Sequence, residues 1–309
     1  MGGVLSSGVH PSALFSHPWR DLPEAQEASL ALLSFHSVKR TSSAVSRKTQ
    51  TSLDFVKTYK PRNSEVRCLR ILLHGPVGAG KSSFINSVDS VLQGRITGRA
   101  LTDAVAGTSF TQRYMTYRIK KDEATHYSFL LNDIMAYEQH PGHGISVEDV
   151  KLVLSGHVLE GYKFVPDRPL TVGENGYNTD PTLEDITHVL VFVVPAGSIS
   201  VLSENIVKKM REVRLAASEM GIPQLAILTK VDEACSHVQK NINNIYKSKF
   251  LKEQVDNFHV LLGIPLNCIF LVKNYSTELE LNKVTNATVL AALRQMLSFG
   301  EDFLNNLES

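Results

Sequence analysis

Short apolar runs recur along the chain from residue 67 onward, and they predict buried strands. Leu69–His74 is one such run, and Val189–Val194 is nearly continuous and rich in β-branched residues. A strand that is covered on both faces has this pattern, whereas a half-exposed strand alternates apolar and polar residues. Leu225–Leu228 and Ile269–Val272 predict two more buried strands later in the chain.

The region between the first of these runs and the others is less regular. An alternating pattern predicts a strand over Thr111–Ile119, and Tyr127–Leu131 follows it as another. The stretch from Asp133 to Thr187 is long and lacks clear periodicity. We therefore expect an insertion there, with one helix near Val147–Leu154.

Amphipathic stretches lie between the strand-like runs and predict helices. The clearest has apolar residues at spacings of three and four from Ile206 to Met220, and a glycine and a proline mark its end. Ser82–Leu92 and Thr288–Phe303 show the same kind of pattern. Strands that alternate with helices favour an α/β fold with a mostly parallel central sheet and helices on both faces.

The first 62 residues differ in character from the rest. They are rich in Ser, His and Thr and lack strong periodicity, apart from a helical pattern near Glu24–Leu33. Lys39–Thr51 is polar and rich in Ser and Thr, which is typical of a linker. We expect a partly disordered N-terminal extension over residues 1–62 and one domain over residues 63–309.

The composition is that of a globular protein without a strong electrostatic bias. The chain has 309 residues, of which 43% are hydrophobic and 20% charged, and its formal net charge is +1. This charge gives no reason to expect nucleic-acid binding, so any phosphate site must be local. Three scattered cysteines are too few for a disulfide framework and favour a reducing compartment. We therefore expect a cytoplasmic protein.

The N-terminus carries one targeting signal. The first six residues, MGGVLS, fit the pattern for myristoylation of Gly2. One myristoyl chain supports only marginal, reversible membrane binding. No signal peptide or membrane-spanning run is indicated, so we expect membrane contact only if Gly2 is myristoylated.

A complete G-x-x-x-x-G-K-[ST] motif runs from Gly75 to Ser82, between a predicted strand and a predicted helix. The glycines let the backbone wrap a phosphate with its N–H groups exposed, and the helix N-terminus adds partial positive charge. In such a loop Lys81 bridges the β- and γ-phosphates, and the Ser82 hydroxyl is a ligand of Mg²⁺. The motif in this setting predicts a P-loop rather than an incidental glycine-rich turn.

The base is expected to lie beside the sequence Thr229–Asp232, which is TKVD and follows a buried strand. A carboxylate at Asp232 can accept hydrogen bonds from the N1–H and 2-amino groups of guanine, and Lys230 can lie along the ring. Adenine lacks those donors, and a site built on such bonds rejects an analogue without them. Lys273 and Asn274 follow the last predicted strand and are expected near the base for the same topological reason.

The two switch segments are less regular than the P-loop. Thr108 is our choice for the threonine that closes on Mg²⁺ and the γ-phosphate, with Thr111 and Thr102 as alternatives. Asp133 holds the place of the aspartate in D-x-x-G, as an outer Mg²⁺ ligand, but Ala136 stands where the glycine belongs. No glutamine stands immediately after Ala136 to orient an attacking water, although Glu138 and Gln139 are nearby, so nucleotide binding is better supported than hydrolysis.

These motifs together define the predicted site. The expected contacts of GTP or GDP are Gly75, Gly78, Ala79, Gly80, Lys81, Ser82, Ser83, Thr108, Thr229, Lys230, Asp232, Lys273 and Asn274, and the expected Mg²⁺ ligands are Ser82, Thr108 and Asp133.

The chain also resembles a known family, the interferon-induced protein 44 family, over residues 60–309. The resemblance is carried by Leu69–Val88, Gly161–Phe164, Thr229–Asp232 and Lys273–Ser276, and upstream Pro18–Arg20 and Tyr59–Pro61 resemble the lead-in of the family. It implies a vertebrate cytoplasmic protein with a Ras-like GTPase domain, induced by interferon and associated with antiviral and immune responses. Some members carry an additional N-terminal domain of the TLDc kind, for which too few residues precede the P-loop here.

Three functions are compatible with these residues. The first is a regulatory GTP-binding protein that hydrolyses GTP slowly or with a partner, and the intact Lys81, Ser82 and Asp232 favour it. The second is a non-catalytic scaffold of the immune response, which Ala136 favours. The third, a P-loop ATPase or small-molecule kinase, is disfavoured by the TKVD run. For the first two we expect protein partners that the sequence does not identify, and for a GTPase a nucleotide-dependent homodimer is an open alternative.

Overall fold

The computed structural model describes residues 13–21, 49–100, 112–138, 144–166 and 168–307. Several sequence-based predictions fall outside these ranges. They are the myristoylation of Gly2, the helix near Glu24–Leu33 and the switch threonines Thr102, Thr108 and Thr111.

A six-stranded sheet forms the centre of the molecule. In chain order its strands are β1 (Leu69–His74), β2 (Met115–Lys120), β3 (His126–Asp133), β4 (Val189–Pro195), β5 (Gln224–Thr229) and β6 (Ile269–Leu271). Their order in the sheet is β2-β3-β1-β4-β5-β6, and all neighbours are parallel except the pair of β2 and β3. The predicted α/β fold with a mostly parallel sheet is thereby confirmed.

Eight helices in the described ranges surround this sheet. They are α1 (49–58), α2 (Lys81–Gln93), α3 (Val147–Leu154), α4 (Glu204–Glu219), α5 (Val231–Ala234), α6 (Ser236–Lys240), α7 (Lys249–Leu262) and α8 (Lys283–Leu307). Short 3-10 turns lie at Ala196–Val201, Ile242–Asn244 and Leu266–Cys268. None of these helices combines the length and the apolar composition needed to cross a bilayer.

Helices cover both faces of the sheet, as the side chains of β1 show. Leu69 is fully buried, and a Cβ added to Gly300 of α8 would collide with it, so α8 packs closely on that face. Successive side chains of a strand point to opposite faces, so His74 points the other way. His74 packs edge-on against Tyr137, whose hydroxyl reaches Lys209 of α4. The near-continuous apolar pattern of β1 and β4 follows from this double cover.

Local signals explain where the helices begin and end. Ser203, Ser146 and Ser248 each accept a hydrogen bond from a backbone N–H in the first turn of the helix that follows. Gly94 and Gly263 end α2 and α7 in the left-handed conformation, which glycine adopts without strain.

The structure changes some of the predicted boundaries. The strand predicted over Thr111–Ile119 begins only at Met115, because the residues before it pair with the insertion instead: Tyr114 N–H donates to Tyr162 and Phe164 N–H to Gln112. The strand predicted over Tyr127–Leu131 continues to Asp133, so this carboxylate stands at the strand end. Helix α3 lies where it was predicted.

Helix α7 was absent from the sequence-based prediction. Its buried residues Leu251, Val255, Phe258 and Leu262 follow the helical spacing of three and four, with Ser248 before them and a glycine after. The apolar spacing and the flanking serine and glycine of α7 are therefore visible in the sequence itself.

Two parts of the N-terminal 62 residues pack on the domain. Residues 13–21 lie along the edge formed by β6 and the start of α7: Trp19 N–H donates to Tyr246, and the Arg20 guanidinium donates to the carbonyls of Leu266 and Ile269. We call these residues the N-terminal strap. Helix α1 covers Thr49–Thr51, which were predicted as linker, and its Phe55 ring lies 5.1 Å from the Arg294 guanidinium of α8. The predicted extension is therefore partly integral to the fold.

Trp19 should be the main anchor of the N-terminal strap. Its ring makes an edge contact with Tyr246 at 5.4 Å and lies under the Lys252 ammonium at 5.8 Å. Replacing Trp19 by Ala should lower the free energy of unfolding by about 3 kcal/mol, since a packed aromatic side chain is lost. Urea denaturation followed by circular dichroism is the suitable measurement, because Trp19 is the only tryptophan.

Phe15 provides the matched control within the same strap. Its side chain is 37% exposed, so Phe15→Ala should change the free energy of unfolding by less than about 1 kcal/mol. Equal effects of the two substitutions would contradict the assignment of Trp19 as the anchor.

Candidate functional site

The loop Gly75–Gly80 joins β1 to α2 at the carboxyl end of the central strand. Gly75 passes so close to β4 that a Cβ at this position would collide with the Val193 carbonyl oxygen. Gly80 lies at φ 89° and ψ 26° directly before α2, in the left-handed region where a side chain is disfavoured. Both glycines are therefore required by geometry, and the loop ends at the N-terminus of a 13-residue helix, which attracts anions.

Lys81 folds back over this loop. Its side chain is only 6% exposed, and its Nζ donates to the carbonyl oxygens of Gly75 and Pro76 at 3.4 Å each. These long hydrogen bonds hold the ammonium over the concave side of the loop. A buried cation in this position is suited to pair with a phosphate.

Ser82 and Asp133 meet beside the loop. The Ser82 hydroxyl donates to Oδ2 of Asp133 at 2.6 Å, and the carboxylate is fully buried at the end of β3. β3 neighbours β1 in the sheet, so the topology brings the two side chains together from positions 51 residues apart. A hydroxyl and a carboxylate are oxygen donors of the kind that Mg²⁺ binds.

Hydrogen bonds from β5 and β6 support the loop from behind. The Thr229 hydroxyl is fully buried and donates to the Ala79 carbonyl at 2.6 Å. Asn274 Nδ2 donates to the Gly80 carbonyl at 3.0 Å. The side chains of both residues thus hold the loop, a role that a local sequence pattern does not reveal, and their expected contact with the base stays a prediction.

Lys230 and Asp232 lie at the exposed end of β5. Lys230 is the only described non-glycine residue with a positive φ, at 55°, a conformation that costs about 1 kcal/mol or more. This conformation of Lys230 lets α5 begin at the next residue, Val231, so that Asp232 lies in the first turn of the helix. The Asp232 carboxylate is 24% exposed, and Lys273 Nζ lies 3.6 Å from its Oδ2. Strained backbone at such a point is typical of a functional site.

The segment after Asp133 is bound to the P-loop by its backbone. Tyr137 N–H donates to the Gly75 carbonyl at 3.4 Å, and Val77 N–H donates to the Tyr137 carbonyl at 3.1 Å. On its other side Tyr137 forms a bridge with Gly144, where Ile145 N–H donates to the Ala136 carbonyl at 3.1 Å. This segment is a short extension of the sheet.

The side chain of Tyr137 points into the core. It is 1% exposed. Tyr137 directly follows Ala136 and so occupies the position at which a GTPase of the Ras type has its water-orienting glutamine. A buried phenol at this point cannot orient a water at the phosphate. Glu138 follows in the described range, whereas Gln139 lies outside it.

The structure thus brings most of the predicted residues to one edge of the sheet. Ser83 lies half-buried in the first turn of α2, where its carbonyl accepts from the Ser87 hydroxyl. The contacts already described join the P-loop to Asp133, Thr229, Asp232 and the pair Lys273 and Asn274. Thr108 lies outside the described residues, so its role stays a prediction.

His74 lies fully buried at the base of the P-loop. Neither ring nitrogen has a hydrogen-bond partner among the residues that the structure describes, and the ring packs edge-on against Tyr137 at 4.4 Å and Phe192 at 6.2 Å. Burial, and secondarily the positive charge of Lys81, lowers the pKa of His74 to about 3. The imidazole is therefore neutral, and it packs as an aromatic ring in the core beneath the loop.

Comparisons with known proteins agree with the sequence motifs. Interferon-induced protein 44-like of Homo sapiens is 36% identical over 253 residues, which are 82% of this chain and 56% of that protein. Interferon-induced protein 44 of Mus musculus is 35% identical over 256 residues, or 82% of this chain and 60% of that protein. The chain thus spans little more than half the length of these relatives. No family model matches the chain.

Similarity to solved structures is weaker. A GTP-binding protein from the hyperthermophilic archaeon Sulfolobus solfataricus in complex with GDP is 14% identical and aligns with a TM-score of 0.35. The alignment covers 88% of this chain and 60% of that one. A score this low supports no inference, so the description of the fold rests on the strand order given above.

His74 should make the protein sensitive to acid. Its pKa is lower in the folded than in the unfolded state, so the folded state binds fewer protons and loses stability as the pH falls below about 6.5. Between about pH 7 and pH 5 this group should remove about 2 kcal/mol from the free energy of unfolding. His74→Phe, which keeps an aromatic ring, should reduce the loss by that amount in urea denaturation.

His126→Phe, at an exposed position, is the control. Its free energy of unfolding should depend on pH in the same way as that of the wild type. His188, whose pKa burial lowers to about 4, destabilises all three proteins in acid and cancels from the comparison. An unchanged pH dependence in His74→Phe would contradict the prediction.

Proposed function

The chain belongs to the interferon-induced protein 44 family, and on this premise we propose that it is a guanine-nucleotide-binding protein of the interferon response. It binds GTP and GDP together with Mg²⁺ and acts in the cytoplasm in antiviral and immune defence. One observation carries the proposal: Lys81, the Ser82–Asp133 pair and Asp232 stand at one edge of the sheet. The phosphate-binding loop and the base-binding strand are joined there by the bond from Thr229 to Ala79.

Phosphate binding follows from the loop and its lysine. The backbone N–H groups between Gly75 and Ser82 and the N-terminus of α2 favour an anion, and the buried Lys81 ammonium supplies a full charge. In the free protein this ammonium donates long, 3.4 Å hydrogen bonds to the carbonyl oxygens of Gly75 and Pro76. A β- or γ-phosphate oxygen would give it a shorter, charge-assisted bond.

Mg²⁺ fits the oxygen pair beside the loop. Ser82 and Asp133 provide a hydroxyl and a buried carboxylate that already lie 2.6 Å apart. A divalent ion bound there would neutralise phosphate charge, and a bound nucleotide and water would supply the remaining ligands. Thr108 is our proposal for the further protein ligand.

Guanine is preferred over adenine because of Asp232. Its carboxylate is partly exposed and can accept both the N1–H and the 2-amino group of guanine. Adenine presents an acceptor at N1 and no 2-amino group, so one carboxylate oxygen would face a lone pair. Adenine binding therefore loses the two hydrogen bonds to Asp232 and also leaves this carboxylate without a donor from the base, and both effects weaken it relative to guanine binding.

Hydrolysis is proposed to be slow without a partner. Ala136 replaces the glycine of the switch, and the buried Tyr137 follows it, so neither of these two residues orients water. The backbone bonds of Tyr137 to Gly75 and Val77 also restrain the segment from closing on a γ-phosphate. A partner protein that supplies the missing group would accelerate the reaction.

The alternative is a non-catalytic scaffold in which the nucleotide is structural. The backbone bonds that tie Tyr137 to Gly75 and Val77 favour this alternative, because a switch has to move when the nucleotide changes. In either case protein partners, a nucleotide-dependent homodimer and myristoylation of Gly2 are further proposals.

Substitutions at the two ends of the site should separate phosphate from base recognition. Asp232→Ala should weaken GDP binding by about 100-fold, since two hydrogen bonds to a charged group are lost, and should leave ADP binding unchanged. Lys81→Ala should weaken both GDP and ADP by about 50-fold. Equilibrium titration with fluorescent nucleotides in the presence of Mg²⁺ measures both.

Asp180→Ala, which removes the same charge at an exposed loop position, is the control and should bind GDP like the wild type. Guanine recognition is refuted if the wild type binds GDP and ADP equally, or if Asp232→Ala keeps the preference for GDP.

Single-turnover assays should find slow hydrolysis. With excess protein and Mg²⁺, the rate of GDP formation should not exceed about 10⁻³ s⁻¹, the order of unassisted hydrolysis even where a water-orienting glutamine is present. A rate above about 1 s⁻¹ would show that another residue orients the water. Binding of GTP without any GDP formation would favour the scaffold.

A further inference from the structure

Three charged side chains stand in a row at the base side of the site. Lys273 Nζ lies 2.7 Å from Oε1 of Glu278 and 3.6 Å from Oδ2 of Asp232. The three are similarly accessible, with side-chain exposures of 26% for Lys273, 25% for Glu278 and 24% for Asp232. We call them the charged row. The contact of Lys273 with Glu278 is thus a short hydrogen bond, whereas its contact with Asp232, at 3.6 Å, is longer and correspondingly weaker.

Glu278 is held firmly in this position. Its Oε2 accepts the backbone N–H groups of Ser276 at 2.8 Å and Thr277 at 3.1 Å, while Oε1 accepts from Lys273. Partial burial raises the pKa of Glu278, but these hydrogen bonds outweigh it and lower the pKa to about 2. Burial lowers the pKa of Lys273, but the hydrogen bond to Glu278, the charges of Asp232 and Glu278 and a weaker bond to Asp232 raise it on balance. Both groups are charged at neutral pH.

The loop that carries the charged row is itself anchored. Tyr275 N–H donates to the Ser87 hydroxyl of α2 at 2.9 Å, and its own hydroxyl donates to Asn286 of α8 at 2.7 Å. The backbone around Glu278 is therefore fixed to two helices. Lys273 has the longer and more flexible side chain of the row, so it is the member that moves when a partner is removed.

The position of Lys273 decides whether Asp232 is open to a ligand. A lysine ammonium has three donors and forms hydrogen bonds with any carboxylate within reach. At 2.7 Å from Asp232 it would occupy an oxygen that guanine has to reach. At 3.6 Å its hold on that oxygen is weaker, and the Asp232 side chain remains 24% exposed with a positive charge nearby. The stronger bond to Glu278 holds it at the longer distance.

We propose that Glu278 is a specificity-determining positioning residue for guanine, because it holds Lys273 back from Asp232 and keeps this carboxylate free for the base. The inference rests on the proposed function and adds a residue that does not itself touch the nucleotide. Without the Glu278 charge, Lys273 turns to Asp232 and competes with guanine for it. Adenine makes no use of that carboxylate, so its binding is indifferent to Glu278.

A double-substitution cycle tests this mechanism. Glu278→Gln keeps an oxygen for the N–H groups of Ser276 and Thr277 but removes the charge that attracts Lys273. In the wild-type background it should weaken GDP binding by about tenfold, which corresponds to 1.4 kcal/mol, and leave ADP binding within about twofold. In a Lys273→Met background the same change should leave GDP binding within about twofold, since no ammonium remains to cover Asp232.

Glu280→Gln is the matched control, since it removes the same charge from an exposed position two residues away. It should bind GDP like the wild type. All variants are measured in the full chain with fluorescent GDP and ADP and Mg²⁺, and circular dichroism verifies that they are folded.

Two outcomes overturn the inference. Unchanged GDP affinity in Glu278→Gln would show that Lys273 does not compete for Asp232. An equal loss in the wild-type and Lys273→Met backgrounds would show that Glu278 acts through the shape of the loop. A wild type without preference for GDP refutes the proposed function and this inference with it, whereas a clear preference with either of the two outcomes refutes the inference alone.

Discussion

The candidate site depends on how the loop between β1 and α2 is held from three directions. Thr229 donates to Ala79 from β5, Asn274 donates to Gly80 from beyond β6, and Val77 N–H donates to Tyr137 beyond β3. A loop of this kind exposes backbone N–H groups to a ligand and so has few internal bonds of its own. The hydrogen bonds from outside therefore determine its shape, and they place the ends of four strands in one site.

This arrangement explains why the fold could be predicted further than the site. The apolar runs of β1, β4, β5 and β6 and the P-loop motif are local patterns, and a local pattern can be read without knowing what is packed against it. The bond from Thr229 to Ala79 joins residues 150 positions apart. Base contact could be expected for Thr229 from its motif, but its burial behind the loop follows only from the sheet order.

Tyr137 and His74 show the same difference between a local sequence pattern and a contact that depends on the whole fold. Ala136 could be recognised as a departure from D-x-x-G, since only the motif is needed. That Tyr137 is buried, and that its ring meets His74 at 4.4 Å, depends on the packing of α4 against the sheet. The strap of residues 13–21 was missed for a similar reason. It has no periodicity because its order comes from hydrogen bonds and ring contacts with Tyr246 and neighbouring residues.

The bridge between Tyr137 and Gly144 has a consequence for how the protein can diversify. It joins these two residues, and Tyr137 is in turn hydrogen-bonded to Gly75 and Val77 of the P-loop. The entropy of closing a loop grows slowly with length, at about 0.6 kcal/mol for each doubling. Insertions or deletions between Tyr137 and Gly144 should therefore leave the phosphate-binding loop undisturbed. A recognition surface could evolve there in length and composition while the nucleotide site keeps its geometry.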